Sequence, residues 1–124
     1  MAGEIEAIEK VVWTYLDGLY EGDTAKLAAA FHEGSHLYSL SDGRVSDLPR
    51  EEWLAFVKNR PSAKSKGLKR TDRIVGIDLS GPETAFVKLE CSIHPRYFTD
   101  YLTLLKLEGG WRVVSKTFRT DVRE

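Results

Sequence analysis

Cysteine is nearly absent from this chain: Cys91 is the single thiol among 124 residues. One thiol excludes an intramolecular disulfide and fits a reducing compartment. No apolar run approaches the ~20 residues that span a bilayer. The amino terminus, MAGEIEAIEK, is acidic and amphipathic and lacks the basic start and apolar run of a signal peptide. Charge of one sign is also missing. Eighteen basic residues face nineteen acidic ones, for a formal net charge of -1, so no global field argues for a nucleic-acid or membrane partner. There is no internal repeat, low-complexity tract or linker, and no motif that implies a cofactor. A chain of this length is expected to form one domain, residues 1–124, large enough for a core but too short for two. These absences together predict a cytoplasmic, single-domain protein.

The residues that are present fall into two halves. Ile5, Ile8, Val11, Val12, Tyr15, Leu16 and Leu19 recur at three- and four-residue spacings, one apolar face of a helix over residues 4–20. Gly22 ends it, and Asp23 is suited to cap a second, slim helix, TAKLAAAF. The alternating run SHLYSL predicts a short strand, closed by Ser41, Asp42 and Gly43. A third helix is expected from about Pro49 to Arg60, with Trp53, Leu54, Phe56 and Val57 on its apolar face. PSAKSKGLKR then reads as an exposed loop. From residue 71 the period changes to two: TDRIVGIDL and TAFVKLECSI predict strands, and FTDYLTLLKLEGGWRVVSKTF predicts two more joined at Gly109-Gly110. Helices first and antiparallel strands last is the α+β pattern.

This order, with its motifs, resembles the nuclear-transport-factor-2-like superfamily. YLDGLYEGDTAKLAAAFHEGSHLYSL is similar to that family's opening pattern. FTDYLTLLKLEGGWRVVSKTF resembles the closing hairpin of the subgroup labelled lumazine-binding, related to polyketide-cyclase-like and ketosteroid-isomerase-like branches. The likeness runs over roughly residues 5 to 119. It implies a cone-shaped, cystatin-like fold: three N-terminal helices packed on a strongly curved antiparallel sheet, with a ligand pocket inside the cone. It also implies a homodimer through the outer face of the sheet.

Asp100 and Lys116 are charges in strands that ought to bury apolar side chains. Residues alternate across a strand, so Phe98, Asp100, Leu102 and Leu104 share a face. A three-residue loop between Leu107 and Trp111 would pair Leu102 with Lys116 and Asp100 with Phe118. It would put Asp100, Val114, Lys116 and Phe118 on one surface and Leu105, Leu107 and Val113 on the other. A two-residue loop would move Lys116 to the opposite face; the three-residue loop is the expectation. Paired with Lys116, Asp100 stays ionised and serves structure. Isolated among Phe98, Leu102 and Phe118, it becomes a neutral acid able to donate a hydrogen bond. Tyr15 resembles the helix tyrosine of the isomerase-like branch, where a general-base aspartate sits on the first strand. The matching position here is Ser39, which cannot act as that base.

Candidate catalytic residues are therefore Asp100, His32 and Tyr15, with His32 as a base of suitable ordinary pKa or simply a histidine favoured at a helix C-terminus. His36 is a weaker alternative, and His94 reads as a strand-end residue near the pocket rim. Candidate ligand-binding residues are Tyr15, Tyr38, Trp53, Phe56, Phe98, Lys116 and Phe118. His32, His36 and Cys91 lack the short spacings of a metal site, so no metal is expected. Cys91 reads as a small hydrophobe. Seven basic residues between Lys58 and Arg73 read as a solvated loop, or as a rim that attracts an anionic substrate. Three functions follow: a small-molecule-binding protein with an aromatic pocket; a lyase-, isomerase- or cyclase-type enzyme; or a structural dimerisation module.

Overall fold

The computed structural model describes residues 2–124. Helix α1 (Ala2–Glu21) buries Ile8, Val12, Tyr15 and Leu16, the stripe expected from its spacing. Gly22, at φ +70°, turns the chain out of it. Asp23 Oδ1 then accepts from the backbone N–H of Ala25 (3.0 Å) and Lys26 (3.2 Å), capping α2 (Thr24–Ala30). The two helices touch closely at Gly18, where an added Cβ would lie 3.0 Å from Lys26 Cβ and 3.1 Å from Leu27 Cδ2. Helix α3 (Arg50–Lys58) is slightly shorter than expected and buries Trp53 and Val57, leaving Phe56 at its outer edge.

Six strands complete the chain: β1 (Phe31–Ser41), β2 (Arg44–Pro49), β3 (Arg70–Ser80), β4 (Thr84–Ile93), β5 (Arg96–Leu107) and β6 (Gly110–Val122). They form one curved, unclosed sheet in the order β2-β1-β6-β5-β4-β3. The fold is α+β as expected, with one difference in the sheet: β1 runs parallel to β6. No tight hairpin joins those two strands, so nothing forces them to be antiparallel. Two further differences concern the first strands. β1 starts at Phe31, directly after α2, so His32 is a strand residue rather than a helix-end one. β2 is absent from the sequence expectation, because none of its side chains is fully buried and no apolar alternation marks it.

The β5–β6 hairpin reaches its expected pairing by an unexpected route. Leu102 does face Lys116, and Asp100 does face Phe118. Yet the loop holds only Glu108 and Gly109, closed by the pair Leu107–Gly110. The register is restored by a bulge: Thr103 pairs with Ser115 and Leu104 with Val113, leaving Val114 unpaired. Val113 is consequently in the core at 0% exposure and Val114 only half-buried, the reverse of the expected sides. The bulge is what lets Val113 and Lys116, three residues apart, both face inward.

Candidate functional site

Three elements bring three polar side chains together inside the core. Tyr15 comes from the buried stripe of α1, Asp100 from the middle of β5 and Lys116 from β6 just beyond the bulge. Tyr15 and Asp100 are 0% exposed and Lys116 5%. Tyr15 Oη donates to Asp100 Oδ2 at 2.5 Å, and Lys116 Nζ donates to Tyr15 Oη at 2.7 Å. Lys116 Nζ lies 3.7 Å from Asp100 Oδ2. Tyr15 is thus wedged against both members of a buried ion pair. Asp100 Oδ1, equally buried, has no hydrogen-bond partner among the described residues.

Aromatic faces surround the ammonium. Lys116 Nζ is 4.6 Å from the Phe118 ring centroid, 5.1 Å from that of Tyr15 and 5.4 Å from that of Trp53. Such faces attract a cation through the ring quadrupole. Phe31 holds the cage from behind, 5.2 Å from Tyr15 and 4.9 Å from Trp53. Burial, and after it the charge of Asp100, push the Tyr15 phenol well above its ordinary value. Tyr15 therefore keeps its proton and serves as a hydrogen-bond donor.

A cavity of about 430 Å³ opens on the other side of Lys116, walled by Leu37, Leu48, Trp53, Phe98 and Phe118, with Phe56 at its edge. Its size suits a small ligand. A second cavity of about 390 Å³ adjoins it, and the two share Leu19, Arg60 and Phe98. Of the three buried polar groups, Lys116 alone lines the cavity; Tyr15 and Asp100 stand behind it. The arrangement offers a ligand one buried cationic donor, held in place by a phenol and a carboxylate.

The other candidates divide. Trp53, Phe56, Phe98 and Phe118 meet at the cavity with Lys116. Tyr38 does not join them. It alternates with the wall residue Leu37 and stacks on His36 at 5.9 Å. His32 lies near the start of β1, outside the cavity lining, and its Nδ1 accepts from the Gly34 N–H at 3.0 Å. His36 Nδ1 sits 2.5 Å from Asp47 Oδ1 across the β1–β2 pair. Ser39 pairs with Ser46 and is likewise outside the lining. His94 lines the second cavity. Cys91 is buried on β4, and among the described residues no three His, Cys, Asp or Glu side chains cluster as metal ligands.

Some wall residues carry no signal in the sequence. Leu37 and Leu48 come from the first hairpin, whose second strand carries no recognisable pattern. Arg96, which lines the second cavity, carries no motif, and Arg60 is visible in sequence only as one of a run of basic residues.

Residues 3–119 match the family described as "Putative lumazine-binding", and the chain belongs to that family. It is similar to an NTF2-like protein of unknown function from Shewanella baltica, at 26% identity, with a TM-score of 0.86 over 97% of this chain and 95% of that one. A ketosteroid isomerase-like protein from Erwinia carotovora atroseptica shares the fold at 15% identity and a TM-score of 0.71, over 94% and 95% of the two chains. A protein named "Aldolase FrzH", from Cladobotryum sp, is 26% identical over 98% of this chain and 95% of its own length.

Proposed function

We propose that the protein binds a small flat or amphipathic molecule in the cavity walled by Trp53, Phe98 and Phe118, with the Lys116 ammonium as its buried polar contact. The observation that carries this reading is the position of Lys116. It is buried, caged by three rings and fixed by Tyr15, yet it borders about 430 Å³ of mostly apolar space. A lysine recruited only for structure would need no such opening beside it.

Native mass spectrometry of the protein as purified, followed by the same spectrum after denaturation, tests the proposal. A mass lost on denaturation is the expected result. Lys116→Met, which keeps the length and removes the charge, should lower the retained amount about tenfold or more, the scale of one charge-assisted hydrogen bond. Full retention in that variant would remove Lys116 from the binding account.

A second reading is catalysis on a carbonyl compound. It is favoured by the relative named an aldolase and by the same three residues. Here Lys116 donates to the carbonyl oxygen and stabilises the charge that develops on it, while Tyr15 and Asp100 position the ammonium. Against this reading, no carboxylate lines the cavity among the described residues to serve as a base, and Ser39 stands where the isomerase-like branch carries its aspartate. Binding is for that reason the leading reading.

A further inference from the structure

The walls of the two adjoining cavities carry four basic side chains, Arg60, Lys66, Arg96 and Lys116, and no Asp or Glu among the described residues. That imbalance stands out in a chain with more acids than bases. Lys116 is answered from behind by Asp100. Arg60, Lys66 and Arg96 enter no ion pair among the described residues; the same holds for Arg44, Arg112 and Arg119, so what sets Arg60 and Arg96 apart is their place together on one cavity wall.

Arg60 is the hinge of the arrangement, because it lines both cavities, and Arg96 stands near enough to oppose its charge. Partial burial, and then the Arg96 guanidinium, push Arg60 below its ordinary range. Two like charges placed together without a counterion raise each other's energy, and an anion between them lowers it. Guanidinium groups also match the paired oxygens of a carboxylate or phosphate.

We infer that the ligand is an amphipathic anion: its apolar body lies against Trp53, Phe98 and Phe118, and its acidic head is held at the mouth by Arg60 and Arg96. This rests on the cavity reading above and adds the chemical class. The same charges draw an anion toward the opening before contact.

Isothermal titration of the full chain with 2-naphthoate, 2-naphthyl phosphate and the neutral 2-naphthamide tests the inference, because the three share one apolar body. At least one anion should bind roughly tenfold or more tightly than the amide. In the Arg60→Gln, Arg96→Gln double variant that preference should vanish, through a loss of anion affinity larger than any loss of amide affinity. Neither arginine belongs to the buried core, so these changes leave the core intact. Equal affinities for anion and amide in the wild type would overturn the inference and leave the cavity reading standing. A preference that survives the double variant would overturn it too, by assigning the anion to Lys116. If none of the three binds, the cavity reading falls and takes this inference with it.

Discussion

Two acids beside the site are held in their protonated forms. Burial, and then the charge of Asp100, push the Cys91 thiol from 9.0 up to about 12. The same two causes, in the same order, push Tyr15 well above 10.0. In both cases the folded state keeps a proton that the unfolded chain releases. The resulting stability is intact below about pH 9 and falls as pH rises from there toward 12. Urea titrations at pH 8, 9.5 and 11 should show that decline, and Cys91→Ala should flatten its first part; an unchanged slope in that variant would assign the decline elsewhere. Sequence carried much of this residue-level picture. Asp100 and Lys116 stand out because charge is costly in an inward strand position, and Tyr15 because it lies on the helix's apolar stripe. What could not be read was Tyr15 sitting between them, since that contact joins residues 85 and 101 positions apart. The structure answers the choice between an isolated and a paired Asp100: it is paired, with the phenol and the ammonium at one oxygen.

At the scale of elements, periodic segments were legible and compensating irregularities were not. The α1 stripe, the Asp23 cap and the β4 alternation all follow from local rules. The bulge at Val114 does not, because a two-residue loop plus one extra residue gives the same pairing at Lys116 as a three-residue loop. β2 went unread for another reason: an edge strand without fully buried side chains has no apolar pattern to show. The Asp23 cap gives this scale its test. Asp23 Oδ1 satisfies two N–H groups at the start of a seven-residue helix whose own length gives it little stability. Asp23→Ala should cost about 1 kcal/mol, which for a domain of this size lowers Tm by roughly 3–6 °C. Calorimetry of the two proteins measures it, and an unchanged Tm would mean that another group takes over the cap.

For the whole molecule, the two faces of the sheet divide the work. The inner face carries the core and the cavity walls. The outer face is neither charged throughout nor polar throughout. Phe86 and Tyr101 stack at 6.0 Å and stay 37% and 41% exposed, with Leu105 at 39% in the same region. Phe86 pairs with Thr103, and Lys88 with Tyr101, so these rings lie near the centre of the sheet rather than at an edge. Exposed apolar surface of this kind is what an association between chains would cover. A twofold pairing of identical sheets is a simple way to cover it, since one self-complementary patch then serves both chains. The expected state in solution is therefore a homodimer, readable by light scattering coupled to size exclusion. Tyr101→Glu, which sets a charge in the middle of that face, should yield monomers with the cavity and the Tyr15–Asp100–Lys116 cluster unchanged. A wild-type monomer at high protein concentration would rule the pairing out. A Tyr101→Glu dimer would move the interface to another surface.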